Sequence, residues 1–148
     1  MIELHPDLFV GNEEDYAYHS SHVDAVVSTN KHRYLIMGDS SKYVTQLGDD
    51  HFLVNWVDGP AHLFEWTGAP VFTRINDFIE SKLAQHKRVL VHCDAGFSRS
   101  PTTIMQFLGH RVWRADFNET RNEFRELYPF WQPGGILEFV QRNWEEIR

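Results

Sequence analysis

The chain has 148 residues, of which 42% are hydrophobic and 14% aromatic, and its formal net charge at pH 7 is −7. A chain of this length buries roughly 70% of its unfolded surface, so the composition predicts a folded domain rather than a disordered chain. The negative charge disfavours a nucleic-acid partner, because binding to phosphate backbones needs clustered lysine and arginine.

The N-terminal half contains three predicted strands, at Leu8–Val10, Val23–Ser28 and His51–Val57. Each is a short run of branched and aromatic residues, which favour extended backbone. A Gly-Asn turn follows the first strand. Residues 29–50 are polar and irregular, and a short strand at Tyr34–Met37 is the one element that we assign to them.

The C-terminal half is predicted to be mainly helical after a strand at Arg88–His92. Pro70 and Pro101 each stand where the first turn of a helix accepts proline. Strands alternate with helices and then give way to helices, which predicts an α/β fold with a central sheet flanked by helices. The apolar residues at helical spacing, helix by helix, are Val71, Ile75, Phe78, Ile79 and Leu83; Ile104, Leu108 and Val112; Phe117, Thr120, Phe124 and Leu127; and Ile136, Val140, Trp144 and Ile147.

The segment after His92 carries the strongest functional signal. Five residues separate Cys93 from Arg99, and Ser100 follows at once. A tight loop between a strand and a helix can point the backbone N–H groups of residues 94–99 at one anion, and the helix dipole adds positive potential. Arg99 matches two phosphate oxygens with its planar guanidinium, and the same field favours a thiolate at Cys93. The arrangement predicts phosphoryl transfer to sulfur.

The sequence HCDAGFSRSP, from His92 to Pro101, resembles the HC-x5-R-[S/T] phosphate-binding loop of the cysteine-dependent protein phosphatases. It is most similar to the dual-specificity group of this tyrosine phosphatase-like family. Residues 2–12 are similar to the opening strand of that group, and residues 128–140 to a loop and helix near its end. The resemblance implies a cysteine-phosphatase architecture and a single phosphatase catalytic domain over residues 1–148.

Chemistry and resemblance together suggest roles for the loop residues. Cys93 attacks phosphorus to form a phosphocysteine intermediate, and Arg99 holds the phosphate oxygens. The resemblance implies that Ser100 hydrogen-bonds the departing sulfur, although a helix N-cap is an alternative role. His92 is expected to point away from the pocket, either as a support for the loop or as a buried core histidine. The substrate-binding positions are Asp94, Ala95, Gly96, Phe97, Ser98 and Arg99, with Gly96 supplying a positive φ or a close approach to phosphate.

The leaving oxygen needs a proton, which a carboxylic acid on a separate loop can supply. Asp58 is the candidate, because it follows a predicted strand and lies upstream of Cys93, as the acid does in the resembled family. Its surroundings differ from the WPD loop of tyrosine-specific phosphatases, and Asp-Gly is also a turn signal. Glu65 is the reserve candidate.

The loop also bears on the substrate. Asp94 puts a carboxylate beside the nucleophile, which disfavours polyanionic inositol head groups. We therefore expect a phosphomonoesterase, with no metal or other cofactor, that acts on phosphotyrosine and also on phosphoserine or phosphothreonine. A non-catalytic phosphate-binding module, or a phosphatase for an RNA 5′ end or a small phosphate ester, remains open. The basic run Lys31, His32 and Arg33 could rim the pocket or be a solvated loop.

The remaining expectations concern the cellular setting. Cys93 is the only cysteine, so no internal disulfide forms, which suits a reducing compartment. The sequence shows no signal-peptide pattern and no apolar run of the roughly 20 residues that span a membrane. We expect a cytoplasmic monomer that has a phosphoprotein or small phosphoester substrate and no membrane partner.

Overall fold

The computed structural model describes residues 1–30 and 44–148. The basic run at residues 31–33 and the strand expected at Tyr34–Met37 lie outside the described residues. Within these two ranges, no helix has the length and apolar character that crossing a membrane requires.

One mixed sheet organises the described part of the chain, with its six strands in the order β1-β2-β6-β3-β5-β4. The central strands β2, β6, β3 and β5 run parallel, while β1 and β4 pair antiparallel at the edges. The carboxyl ends of the parallel strands therefore meet at one edge, where open α/β sheets bind their ligands. The strands are β1 (Ile2–His5), β2 (Leu8–Gly11), β3 (Ala25–Ser28), β4 (Val44–Leu47), β5 (His51–Val54) and β6 (Val89–His92).

Helices cover both faces of the sheet. The main core lies between one face and the four helices after β5, because alternate strand residues such as Val27 and Val91 join the apolar cluster of those helices. Helix α1 packs on the opposite face, where the Tyr16 ring stacks on the His92 ring. In the described residues the α-helices are α1 (Glu13–His19), α2 (Gly68–Ala84), α3 (Arg99–Phe107), α4 (Phe117–Leu127) and α5 (Gly135–Arg142), and α3 continues as a π-helical turn over Leu108–Trp113.

The predicted architecture is confirmed, but the N-terminal half contains more structure than expected. Strand β1 forms a hairpin with β2, for which Asp7 adopts a φ of 66°. Asn12 was interpreted as part of a turn, whereas it caps helix α1 by exchanging hydrogen bonds with Asp15. Strand β4 lies in the stretch that the sequence left irregular, and β5 ends at Val54 rather than Val57 because the chain turns there.

The predicted helices of the C-terminal half are present, with different ends. Helix α5 stops at Arg142, so Trp144 and Ile147 are buried beyond it rather than on it. Val112 and Leu127 are exposed, at 37% and 41%, and do not belong to the buried faces assigned to them. For Val112 the cause is the wide π-helical turn, which rotates it away from the line that Ile104 begins.

A buried amide pair fastens α3, the helix that begins at Arg99, to α2. Asn76 Nδ2 donates to Gln106 Oε1 at 2.9 Å, and Gln106 Nε2 donates to Asn76 Oδ1 at 2.7 Å. Both residues are fully buried. Each amide thus satisfies the other where water cannot, and neither helix can slide without breaking both bonds.

We predict that Gln106→Leu lowers the free energy of unfolding by about 1–3 kcal/mol, because Asn76 Oδ1 loses its buried donor. Gln141→Leu, on the exposed side of α5, is the matched control and should change stability by less than about 0.5 kcal/mol. Urea unfolding followed by tryptophan fluorescence measures both. Equal effects of the two substitutions would contradict a role for the amide pair.

Candidate active site

Cys93 lies at the carboxyl edge of the sheet, directly after β6, and is 2% exposed. Its sulfur is 3.2 Å from Ser100 Oγ and accepts the Gly96 N–H at 3.3 Å. Ser100 Oγ also donates to the Gly11 carbonyl at 3.2 Å. The one hydroxyl hydrogen of Ser100 can therefore point to the Gly11 carbonyl while sulfur is a thiol, and to sulfur when it is a thiolate.

Gly96 lets the loop fold back over the sulfur. Its φ is +81°, and a Cβ there would lie 3.3 Å from the Gly11 carbonyl oxygen. The positive φ expected from the sequence is present, and the close neighbour of Gly96 is the protein backbone at Gly11. The Tyr128 hydroxyl donates to the Gly96 carbonyl at 2.9 Å and holds this turn from the side of α4.

Arg99 is 6% exposed, and its side chain is held by two protein oxygens. Its Nη1 donates to the Trp56 carbonyl at 2.7 Å, and its Nη2 donates to Asp94 Oδ2 at 3.2 Å. Its buried Nε has no hydrogen-bond partner within the described residues. The guanidinium is thus oriented on one side and has an unsatisfied donor available for an anion.

Asp58 is exposed, but its position is defined by the loop that contains Cys93. Asp58 Oδ1 accepts the Ser98 hydroxyl hydrogen at 2.9 Å, and the Gly134 N–H donates to Ser98 Oγ at 2.9 Å. Glu65 lies at the end of the short 3-10 turn Ala61–Phe64 and does not line the pocket that contains Cys93. The structure therefore places Asp58, and not the reserve candidate, in the pocket that Cys93 lines.

Cys93, Arg99 and Asp58 all line one pocket of about 200 Å³. It brings together the candidate nucleophile, the arginine and the candidate acid with three further predicted substrate-binding positions, while Ser100 contacts the sulfur. A larger groove of about 550 Å³, beside β5 and α2, contains none of the predicted site residues. The pocket is lined by Asp58, Cys93, Ala95, Phe97, Ser98, Arg99 and Gln132.

Tight packing of two glycines fixes the Asp58 loop. A Cβ on Gly134 would lie 2.9 Å from Asp58 Oδ1, and one on Gly135 would lie 2.4 Å from the Gly59 carbonyl oxygen. The Gly135 N–H donates to that same carbonyl at 3.0 Å. The start of α5 therefore sits directly against the Asp58 loop. A side chain at Gly135 would clash with backbone, and one at Gly134 would require the Asp58 side chain to move.

The structure adds site residues that the sequence did not identify. Gln132 lines the pocket, and its backbone N–H donates to the Phe97 carbonyl at 2.8 Å. Trp56 contributes through its carbonyl oxygen, for which residue type gives no signal. The Pro-Gly-Gly sequence before α5 was the one available indication that this segment packs closely against something.

His92 and Asp94 face away from the floor of the pocket. His92 is fully buried against Ser28 and Tyr16, on the α1 side of the sheet. The Asp94 side chain is 52% exposed and pairs with Arg99. The carboxylate expected beside the nucleophile is therefore partly neutralised within the loop itself.

Comparison with known proteins gives a consistent result. Residues 17–115 match the family described as the dual specificity phosphatase catalytic domain. The rat and human proteins named dual specificity protein phosphatase 5 are each 30% identical over 108 residues, 72% of this chain. The chain spans about a quarter, 26%, of the length of these curated relatives. The structure of human DUSP28 superposes with a TM-score of 0.71 at 17% identity, covering 98% of this chain and 92% of that one.

The hydrogen bond from the Tyr128 hydroxyl to the Gly96 carbonyl makes the stability of the folded state depend on pH. Burial raises the pKa of Tyr128 above its ordinary value of 10.0, and the nearby Cys93 charge raises it further. The folded state therefore keeps this proton better than the unfolded state. The resulting stabilisation is fully present below about pH 10 and is lost as pH rises through the folded pKa.

We therefore expect wild type to be more stable than Tyr128→Phe by about 0.5–1.5 kcal/mol at pH 8, the contribution of one hydrogen bond. This difference should shrink above about pH 10. Urea unfolding of both proteins between pH 8 and pH 11 measures it. A difference that grows with pH would show that the hydroxyl is not held as a protonated donor.

Proposed function

This chain belongs to the dual-specificity phosphatase catalytic-domain family, and we propose that it hydrolyses phosphotyrosine through a phosphocysteine intermediate. Members of this family are cysteine phosphatases, so the substrate is a phosphorylated molecule. Beyond the family assignment, we propose Cys93 as the nucleophile, Asp58 as the general acid and phosphotyrosine as the preferred phosphomonoester. We also propose phosphoserine and phosphothreonine peptides as secondary substrates.

The observation that carries the proposal is the pairing of a buried sulfur with a buried, incompletely satisfied guanidinium. Cys93 and Arg99 line the same pocket, and each is less than 7% exposed. A buried N–H without an acceptor is costly, and an anion in the pocket would remove that cost. A phosphate supplies several acceptor oxygens in the geometry that guanidinium prefers.

In the first step, the Cys93 thiolate donates an electron pair to phosphorus, and a sulfur–phosphorus bond forms. The bond from phosphorus to the ester oxygen breaks, and that oxygen keeps the bonding pair. Asp58 gives the oxygen a proton, so that a neutral phenol leaves. Ser98 holds Asp58 Oδ1, and the transferable proton belongs on Oδ2. Arg99 stabilises the charge on the equatorial oxygens throughout.

In the second step, water attacks the phosphocysteine. Asp58, now ionised, takes a proton from the water, and inorganic phosphate forms as the sulfur–phosphorus bond breaks. The sulfur departs with the electron pair as a thiolate. Ser100 Oγ, 3.2 Å away, can donate its hydrogen to that thiolate, and the Gly96 N–H already points at it. Both contacts stabilise the leaving group of this step.

An exposed aromatic side chain at the pocket supports an aryl phosphate as substrate. Phe97 is 44% exposed although it is large and apolar, and it lines the same pocket as Cys93. A phosphotyrosine ring can cover this surface, which a serine phosphate cannot reach to the same extent. The Asp94 carboxylate, 3.2 Å from Arg99, disfavours further phosphate groups on the substrate.

Replacing the Cys93 thiol tests its proposed role as nucleophile. Cys93→Ser should reduce hydrolysis of an aryl phosphate to background, because a serine hydroxyl is not ionised at neutral pH. The variant should still bind inorganic phosphate, since Arg99 and the loop backbone are unchanged. Steady-state kinetics and phosphate titration by NMR measure the two properties. Wild-type activity should persist in a chelator, and substantial turnover by Cys93→Ser would contradict the cysteine mechanism.

Replacing the Asp58 carboxylate tests its proposed role as the general acid. Asp58→Asn should slow phosphotyrosine hydrolysis by about 100-fold or more, within the usual range for general acid catalysis. An aryl ester with a strongly acidic phenol needs no proton to leave and should lose much less. Glu65→Gln is the matched control, an exposed carboxylate outside the pocket, and should leave both rates unchanged. Equal losses on the two esters in Asp58→Asn would exclude Asp58 as the acid.

A further inference from the structure

A polar cluster lies on the α1 face of the sheet, behind the loop that contains Cys93. Its members are His51 on β5, Ser28 on β3 and His92 on β6. Ser28 is the register partner of His92, and His51 pairs with Val26, so the three side chains emerge on one face. Ser28 and His92 are fully buried, whereas His51 is half-buried. The cluster connects a partly accessible histidine to the residue before the nucleophile.

The two histidines share one hydroxyl group. Ser28 Oγ lies 2.6 Å from His92 Nε2 and 2.8 Å from His51 Nε2. A hydroxyl has one hydrogen, so it can donate to only one of the two ring nitrogens, although its oxygen can accept from both. While both hydrogen bonds are made, at least one of the two Nε2 atoms therefore carries a proton. The proton positions on the two rings are coupled through this hydroxyl.

Glu13 on α1 favours one of the two arrangements. Its Oε2 lies 3.4 Å from His92 Nδ1, an electrostatic contact that is longer than an ordinary hydrogen bond. A carboxylate attracts a protonated Nδ1 and repels a lone pair there. A neutral His92 should therefore carry its proton on Nδ1 and accept from Ser28 at Nε2, so that Ser28 accepts from His51.

Hydrogen bonds also connect the Glu13 carboxylate to Arg99, the proposed phosphate-binding residue. Asn30 Nδ2 donates to Glu13 Oε2 at 3.0 Å and to Asp94 Oδ1 at 2.6 Å. Asp94 Oδ2 in turn accepts from Arg99 Nη2 at 3.2 Å. A lone pair on His92 Nδ1 would displace Glu13 and, through Asn30, release Asp94. The proton position on His92 and the orientation of Arg99 are therefore linked.

We propose that His51 is a positioning residue of this enzyme. Through the Ser28 hydroxyl it keeps the proton of His92 on Nδ1, and so maintains the contacts that orient Arg99. The effect of His51 on catalysis rests on the proposed function.

Protons affect this arrangement differently according to where they bind. A proton that arrives at His51 Nδ1 leaves the arrangement intact. Protonation of His92 at Nε2 turns this atom from an acceptor into a donor, so the Ser28 hydroxyl hydrogen must move to another acceptor. Among the described residues, Glu13 lies against His92 Nδ1 and the Tyr16 ring packs against both imidazoles. Asp94 and Arg99 are connected to this group through Asn30.

The first test observes the ring nitrogens and needs no turnover. Histidine ¹⁵N NMR of the wild type should show His92 protonated on Nδ1 at neutral pH. His51→Gln keeps a hydrogen-bonding group near Ser28 but does not titrate, so His92 should lose the pH-dependent shift that follows His51. Ser28→Ala should make the two rings titrate independently. His22→Gln, an exposed histidine outside the cluster, should change neither result.

The second test measures the consequence for the site. Ser28→Ala should weaken binding of inorganic phosphate, measured in the Cys93→Ser protein, by about threefold to tenfold, the effect of one hydrogen bond. It should lower kcat/KM of the otherwise wild-type enzyme by a similar factor. His51→Gln should change the pH profile of kcat/KM, and His22→Gln should not.

The outcomes separate the two proposals. Identical His92 spectra in wild type, His51→Gln and Ser28→Ala would overturn the positioning role. Altered His92 spectra with unchanged phosphate affinity and kcat/KM would also overturn it, since the cluster would then be structural alone. If the spectra and phosphate affinity change as expected but wild type hydrolyses no phosphomonoester, the linkage is supported and the proposed function fails.

Discussion

The candidate site depends on keeping one arginine side chain buried and oriented at the carboxyl edge of the sheet. Arg99 is 6% exposed, and a guanidinium removed from water is stable only when its N–H groups find acceptors. Trp56 and Asp94 supply two of them, from the segment after β5 and from the loop itself. Arg99 Nε has no hydrogen-bond partner within the described residues, so the guanidinium retains a buried donor that an anion could satisfy.

The surrounding elements can be understood as supports for this arrangement. Helix α3 begins at Arg99 and is fixed to α2 by the Asn76–Gln106 amide pair. The start of α5 presses two glycines against the loop that carries Asp58. Three segments far apart in sequence therefore meet at one pocket, each held by contacts in which a shift would leave buried polar groups unsatisfied.

The α1 face of the sheet contributes a different kind of support. The sheet buries polar side chains there, which costs free energy unless every hydrogen bond is made. Ser28 satisfies two imidazoles with one hydroxyl, and Asn30 bridges two carboxylates with one amide nitrogen. Because one hydroxyl and one amide nitrogen each contact two groups, the hydrogen bonds of the cluster depend on the position of a single proton. Apolar side chains of the same volume would not respond to a proton. We therefore associate the cluster with the site rather than with stability.

The sequence by itself determined the α/β architecture, the strand that ends at His92 and the association of Cys93, Arg99 and Ser100. These features depend on local periodicity and on short spacings, which one stretch of chain specifies. It also indicated Asp58, because an acidic residue after a strand is visible locally. Helix α1 was missed because its capping residue, Asn12, also suits a turn, and β4 because its stretch is polar.

Only the tertiary structure decided which groups complete the site. The Trp56 carbonyl, the Gln132 position and the His51–Ser28–His92 contact join residues on separate elements. A backbone carbonyl has no residue-type signal, and a hydroxyl between two imidazoles depends on strand register across β3, β5 and β6. Sheet order is set by the packing of the whole chain, so no local pattern could show these contacts.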